Sequence, residues 1–367
     1  MFFDYSAEQQ DFRASLRKLV ADRSPLAQVR ARLGNAHDPD LWRLLCADLA
    51  ITALAVPEEY GGAGFSLEES AIAVAELGRG LVPVPALEAI LAIEAILRLG
   101  TEAQRQELLP DLVAGERLAV VAMAGPDDLA SPSVLAATGA GGWTLTGRRP
   151  QVPRGHVADV FLVPAMADDG PGLYLADAGA AGVTVGGEDR SFDPTRPVAA
   201  LDLAGVRAVR LGDPAASAAS DAAGLLDVAR TLLAAEMAAA AQACLDMSVD
   251  YAKHRVQFNR AIGSFQAIKH GCAELAVETD AAQAAADWAV MLAATADAGL
   301  PAAALIAKAQ AADTFTACAN WNIQVHGGIG FTWEHDAHLY LRRAKSDQVL
   351  YGDSALHRSL LADLAGI

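Results

Sequence analysis

The stretch between residues 251 and 270, YAKHRVQFNRAIGSFQAIKH, constrains the fold more than any other part of the chain. Alanine-rich helical sequence precedes and follows it, so it predicts a corner between two helices, which we call the helix corner. It carries Arg255, Phe258 and Arg260, then a Gly-Ser break, then Gln266 at the start of the next helical run. An arginine, a ring and an amide could hold a planar, anionic ligand there. Spacing alone favours the plainer alternative, packed helices with arginines whose charged ends reach solvent.

The sequence changes character twice along its 367 residues, a length sufficient for two or three packed units. Residues 1–115 have apolar side chains at helical spacing, with Ser6 and Ser66 in N-cap positions. Residues 116–213 alternate short β-like runs with Gly, Pro, Asp and Ser turns, which predicts a small antiparallel barrel or sandwich. Residues 214–367 return to helix. We predict an α+β protein with a helical, a β and a second helical domain at these boundaries.

Composition narrows the classes of partner. The 28 Lys and Arg residues against 45 Asp and Glu give a formal net charge of −17, which argues against nucleic acid or an anionic membrane as the main partner. The apolar run 231–244 is interrupted by polar residues, and the N-terminus shows no signal-peptide pattern. Cys46, Cys244, Cys272 and Cys318 are widely spaced. We predict a cytoplasmic protein with reduced thiols and no metal site.

Three separated stretches carry a family resemblance. The helix corner resembles the flavin-contacting corner of the acyl-CoA dehydrogenase family. Two other stretches, AVPEEYGGAGFSLEE at 55–69 and QVHGGIGFTWEHDAHLYLRRAK at 324–345, resemble the same family in the same order and spacing. The resemblance therefore covers nearly the whole chain. It implies a β domain between two α domains, with a C-terminal four-helix bundle forming the oligomer core.

The resemblance implies a cofactor, FAD, and assigns residues to it. Arg255 would pair with the FAD pyrophosphate, since a guanidinium suits two parallel phosphate contacts. Phe258 would pack on the adenosine portion, and Gln266 would hydrogen-bond to it.

A second group of residues would serve the same dinucleotide. Gln324, Gly327 and Gly328 would let the backbone approach it closely, because glycine has no side chain in the way. In the family, both groups of residues contact the FAD of the neighbouring subunit.

The family's contacts to the isoalloxazine ring are missing from this chain. The family has a Thr-Glu-Pro-Gly-like stretch and a later Trp-Ile-Thr/Ser stretch in its β domain. The corresponding segments here are MAGPD at 123–127 and QVPR at 151–154, without the aromatic platform and hydroxyl donors. This β domain is therefore poorly suited to hold a flavin ring.

The family's general base is also missing. The reaction removes the α-proton of an acyl-CoA thioester with a glutamate and transfers the β-hydride to flavin. An ungapped alignment of the C-terminal stretch places Tyr351 at the glutamate position, and a phenol is a poor base at neutral pH. Other family members carry the glutamate just before an arginine on the first bundle helix. Here that pair is Ala229 and Arg230.

Three residues near these positions remain candidates. Asp353 could be a substitute base, although an aspartate before SALHRSLLADL more often caps the following helix. Glu236 is a nearby carboxylate that matches no base position. Arg230 is a candidate for contact with the substrate.

Together these losses predict that the chain is one half of a heteromeric enzyme. In this it is similar to actinobacterial acyl-CoA dehydrogenases that act on steroid side chains. In those enzymes two homologous chains form an α2β2 tetramer, with FAD at the interface between unlike chains. The DPTRP sequence at 193–197 resembles those relatives too, or is simply a polar loop. The expected partners are the homologous subunit, an acyl-CoA and an electron-transfer flavoprotein or similar acceptor. Two alternatives stay open: a self-sufficient homo-oligomer with a non-standard base, and a non-catalytic scaffold.

Overall fold

The computed structural model describes residues 5–33, 37–139, 141–187, 191–213 and 218–367. The chain divides into two compact units. The first comprises 1–33, 71–82 and 230–367, and the second comprises 34–70 and 83–229. The three-domain division of the sequence analysis remains a prediction.

The helices begin where the sequence supplies capping side chains. Helix α1 (Ala7–Arg23) starts after Ser6, whose Oγ accepts from the N–H of Gln9, while the Gln9 side chain accepts from the Ser6 N–H. Helix α4 (Leu67–Arg79) starts after Ser66, whose Oγ accepts from the Glu68 N–H at 3.0 Å, while the Ser66 N–H donates to the Glu69 carboxylate at 2.9 Å. These reciprocal bonds satisfy N–H groups that have no partner inside the helix. Both predicted caps are confirmed.

Among its described residues, the second unit contains three complete α-helices and a sheet. The helices are α3 (Pro39–Leu49), α5 (Ala86–Leu99) and α6 (Glu102–Val113). The strands are β1 (Ala119–Val121), β2 (Val134–Gly139), β3 (Gly142–Pro153), β4 (Val160–Ala167), β5 (Gly170–Asp177), β6 (Val183–Gly186) and β7 (Val198–Arg210). Helix α5 packs on β1 and is buried from Ala86 to Ile96. It therefore forms much of this unit's core.

The sheet closes on itself, because the neighbours β4, β2, β3, β7 and β5 return to β4. The predicted barrel is therefore present. Most pairings are antiparallel, but β1 and β2 each pair with β4 in parallel. Strand alternation in the sequence does not reveal pair direction, which depends on the path of the connections.

The first unit is helical. It contains α1, α2 (Leu26–Ala31), α8 (Gln266–Ala294), α9 (Leu300–His326), α10 (Ala337–Val349) and α11 (Ser354–Ala365), with the C-terminal parts of α4 and of α7 (Ala218–His254). Helix α9 contacts α8, α10 and α11. Alanine is the most frequent of its buried residues, and small side chains let neighbouring helices approach closely. Helices α7 to α11 confirm a helical C-terminal part, while its predicted start at residue 214 lies outside the described residues.

Helix α7 is long and apolar enough over Ala223–His254 to cross a membrane by length and composition. However, 78% of its most apolar window is buried inside the protein. A core helix of a globular domain has these properties too, so they are weak support for a membrane span.

Candidate functional site

The helix corner contains a small hairpin that the sequence analysis did not predict. Strands β8 (Val256–Gln257) and β9 (Arg260–Ala261) pair between the end of α7 and the start of α8. The Ile262 N–H donates to the Arg255 carbonyl at 2.9 Å and closes the hairpin base. With only two residues per strand and no Asn-Gly or Asp-Gly pair, the segment lacked the usual hairpin signals.

The two residues at the hairpin tip have left-handed backbones. Phe258 has φ 52° and Asn259 has φ 61°. Left-handed geometry costs a non-glycine residue about 1–2 kcal/mol, and asparagine tolerates it better than a bulky residue. The Phe258 side chain is nevertheless 85% exposed, so burial of its ring does not offset this strain. Strained backbones are found more often at functional sites, so the tip is a candidate position for ligand contact.

The helix corner groups aromatic rings with guanidinium groups. The Arg260 guanidinium lies 4.0 Å from the centroid of the Phe265 ring, and Phe265 meets Phe258 edge-on at 6.0 Å. Arg255 and Gln266 are exposed beside them. The structure therefore brings together the three corner residues that the resemblance assigned to FAD.

The glycine turn after α9 lies in the same unit. Gly327 ends the helix with φ +66°, and a Cβ atom at Gly327 or Gly328 would meet no described atom within 4 Å. Gln324, one turn before, is exposed and lines a groove of about 870 Å³ beside α8 and α9. The ring centroids of Tyr251 and His326 lie 4.2 Å apart, with the rings tilted by 33°. This contact links the glycine turn to the helix corner.

These residues fit a dinucleotide. An exposed ring and an exposed guanidinium at the helix corner suit a base and a phosphate. At the glycine turn, the backbone is open to close approach. Within the described part of the chain, no group of three or more His, Cys, Asp or Glu side chains could hold a metal ion.

At the family's base position the backbone, rather than a carboxylate, carries the polar contacts. Tyr351 is 2% exposed and has φ 61°. Its carbonyl accepts from Arg230 Nε at 3.2 Å and lies 3.1 Å from His357 Nε2. The Lys308 ammonium donates to the carbonyls of Gln348 and Gly352 at 3.3 and 3.2 Å. We call Arg230, Lys308 and His357 the carbonyl clamp.

The candidate carboxylates have structural contacts. Asp353 caps α11, its Oδ1 accepting from the Leu356 N–H at 2.8 Å. Glu236 is buried and forms an ion pair with Arg343 at 2.7 Å. Arg230 is 6% exposed and belongs to the carbonyl clamp through its bond to the Tyr351 carbonyl. Its role toward a substrate stays a prediction.

Sequence reasoning missed Lys308 and His357. Lysine at 308 interrupts the buried alanine-rich run of α9, and an ionisable residue on an otherwise apolar helix face was a usable signal. Nothing local in the sequence indicates that His357 faces the Tyr351 carbonyl.

We predict that Lys308 makes stability depend on pH in the alkaline range. Burial chiefly lowers the pKa of Lys308 from 10.5 to about 8, helped by Arg230 and opposed by Asp347, Asp353 and Asp313. Between these values this site binds more protons in the unfolded chain, so its contribution to the free energy of unfolding should rise with pH. Burial raises the pKa of the Cys46 and Cys318 thiols to about 11, and their contribution falls with pH in the same range. The measurement is therefore a difference: in urea unfolding from pH 8 to 10.5, the stability of the wild type relative to Lys308→Met should rise with pH. The exposed Lys345→Met is the control, and an unchanged slope in Lys308→Met would contradict the prediction.

In the second unit, the QVPR segment at 151–154, which aligns with the family's Trp-Ile-Thr/Ser stretch, ends in a buried arginine. Arg154 is 1% exposed with φ 51°, and its guanidinium donates to the Thr195 carbonyl at 3.0 Å. Its Nε lies 3.7 Å from the buried Glu88 carboxylate, which Arg196 approaches to 3.3 Å. The QVPR and DPTRP motifs therefore meet in one buried polar cluster.

The earlier segment, aligned with Thr-Glu-Pro-Gly, is also held by the protein. The Asp128 carboxylate accepts from the N–H groups of Ala124 and Gly125 at 2.8 Å each. Asp128 in turn pairs with Arg149, which is buried. These groups stabilise a turn, and the segment itself supplies no hydroxyl donor.

Comparisons with known proteins agree with this fold. The family model "Acyl-CoA dehydrogenase, N-terminal domain" matches residues 6–116, and "Acyl-CoA dehydrogenase, C-terminal domain" matches 220–365. The chain is 36% identical over 360 residues to acyl-CoA dehydrogenase IpdE2 of Mycobacterium tuberculosis, covering 97% of both.

Chains from two solved structures are similar to this chain over all or nearly all of their length. A chain of the ChsE4-ChsE5 complex from Mycobacterium tuberculosis matches with a TM-score of 0.89 and 30% identity, covering 100% of both chains. A chain of a variant of the Tcur3481-Tcur3483 steroid ACAD matches with a TM-score of 0.88 and 32% identity, covering 98% of both. The family is one of FAD-dependent enzymes. From its sequence, its fold and these matches, the chain belongs to the acyl-CoA dehydrogenase family.

Proposed function

We propose that this chain is the subunit of a heteromeric FAD-dependent acyl-CoA dehydrogenase that lacks its own catalytic glutamate. It completes the FAD site of a homologous partner subunit, which supplies the base. One observation carries the proposal: the exposed FAD contacts of the helix corner coexist with Tyr351 at the base position.

The helix corner supports the cross-subunit half of the proposal. Arg255, Phe258 and Gln266 are held by a hairpin and a helix start, so they present a prearranged set of contacts. They are exposed in the single chain, as residues that serve a ligand of another subunit would be. Arg255 would bind the pyrophosphate, and Phe258 the adenosine.

The base region supports the other half. When bound, FAD accepts hydride from the β-carbon of an acyl-CoA, while a carboxylate must take the α-proton. Here the position holds Tyr351, the alternative position holds Ala229, and Asp353 is a helix cap. None of these supplies a base with the family's placement.

The substrate and acceptor follow from the relatives. A solved relative is named a steroid ACAD, which favours a bulky acyl-CoA, such as a steroid side-chain thioester. Both cited structures are complexes named by two components, which supports an α2β2 assembly. An electron-transfer flavoprotein or similar acceptor would reoxidise the flavin. The four cysteines are free thiols, which favours a cytoplasmic enzyme.

The visible spectrum of the purified protein tests the proposal. Expressed alone, the chain should be colourless. Co-expressed with a homologous subunit that carries the glutamate, it should give a yellow complex with about one FAD per unlike pair. A yellow, active complex of this chain alone would contradict the proposal, and no flavin absorbance with any partner would favour a scaffold instead.

Asp353→Asn separates this proposal from a self-sufficient enzyme. Asparagine can still cap α11, so the fold should be kept. In the heteromer, turnover should stay within about twofold of the wild type, since an effect below about 0.5 kcal/mol is expected of a residue outside the chemistry. Stopped-flow flavin reduction measures this. Abolished reduction with FAD still bound would instead identify Asp353 as the base.

A further inference from the structure

Asn259 is the second residue of the strained hairpin tip, and neither the family resemblance nor the comparisons assign it a role. Its side chain is exposed, and within the described residues its carboxamide makes no hydrogen bond. Its φ of 61° fixes the backbone next to Phe258. The tip therefore presents an exposed aromatic ring and a carboxamide without a hydrogen-bond partner in the described residues, both on a strained backbone.

We propose that Asn259 recognises the adenine edge of the FAD held at the helix corner. This inference rests on the proposed function, in which the adjacent Phe258 packs on the adenosine. A carboxamide matches adenine with two hydrogen bonds: its N–H donates to N7, and its oxygen accepts from the 6-amino group. Neighbouring residues of one turn would thus contact the face and the edge of the same base.

The charges of the tip support a nucleotide rather than a peptide ligand. Arg255 and Arg260 lie on either side of Phe258 and Asn259 in the hairpin, and both are exposed. Cationic groups beside a ring and a neutral amide suit a ligand that combines phosphates with a base. The strained backbone at the tip is also explained, because it places both side chains in one turn before the ligand binds.

The test compares two flavin dinucleotides on the apo-heteromer. Flavin hypoxanthine dinucleotide carries a carbonyl in place of the 6-amino group, so the Asn259 oxygen would lose its donor. The wild-type complex should bind FAD roughly tenfold more tightly than this analogue, in the range expected for a bidentate amide–adenine pair. Asn259→Gly keeps the left-handed backbone and should bind both dinucleotides equally, at the weaker level.

Two further variants control for structural effects. Asn259→Asp removes the N–H donor and adds a negative charge, but it keeps an oxygen that can accept from the 6-amino group. It should bind both dinucleotides more weakly than the wild type and retain a preference for FAD. Gln257→Ala removes an exposed amide from β8 outside the tip and should retain the wild-type preference. Wild-type affinity and preference in Asn259→Gly would overturn the inference. A wild-type complex that binds neither dinucleotide would overturn the proposed function, and this inference with it.

Discussion

Replacing Arg255 with methionine should lower the FAD affinity of the heteromer by about 10- to 100-fold. Hydrogen bonds to a charged group contribute about 1.5–3 kcal/mol, and the proposed contact joins a guanidinium to a pyrophosphate. Methionine keeps much of the side-chain length but removes the charge. Because the Arg255 side chain is exposed, the fold should be unaffected. Flavin fluorescence titration of the apo-complex measures the change.

Lys253→Met is the matched control for Arg255. Lys253 is an exposed cation in the last turn of α7, two residues earlier, so its loss changes the local charge equally. FAD affinity should change by less than about threefold in this variant, as expected for a screened surface charge. Equal losses in both variants would show a general charge effect and would exclude a specific Arg255 contact.

Replacing Arg343 with methionine should lower the free energy of unfolding by about 3–5 kcal/mol. Its guanidinium pairs with Glu236 at 2.7 Å, and both side chains are 2% exposed. Removing one partner leaves a buried carboxylate without its guanidinium, which is the costly way to break such a pair. Urea unfolding at neutral pH measures the loss.

Arg358→Met provides the comparison for Arg343. Arg358 pairs with Asp313 at 2.6 Å, but the two side chains are 58% and 44% exposed. Solvent screens such a pair, so the expected loss is at most about 1 kcal/mol. Similar losses in the two variants would mean that burial does not set the strength of the Arg343 pair.

Local patterns predicted the helices, the strands and the helix corner, whereas the candidate site residues came from the family resemblance. Ser6 and Ser66 marked helix starts because caps are formed by neighbouring residues. The structure places Arg255, Phe258 and Gln266 together because they are close in sequence.

Features that depend on distant residues could not be predicted. The partners in the pair of Glu236 and Arg343 are 107 positions apart. The Glu88 contacts of Arg154 depend on how α5 packs against the sheet. The left-handed tip at Phe258 likewise depends on the hairpin around it, because phenylalanine has no local preference for that conformation.

The carbonyl clamp has a consequence for the evolution of this subunit. Arg230, Lys308 and His357 contact main-chain oxygens, which every amino acid possesses. These three contacts therefore do not depend on which side chain stands at 351. Under the function proposed above, a catalytic side chain at 351 could be lost while these three contacts, and the helices that they join, persist.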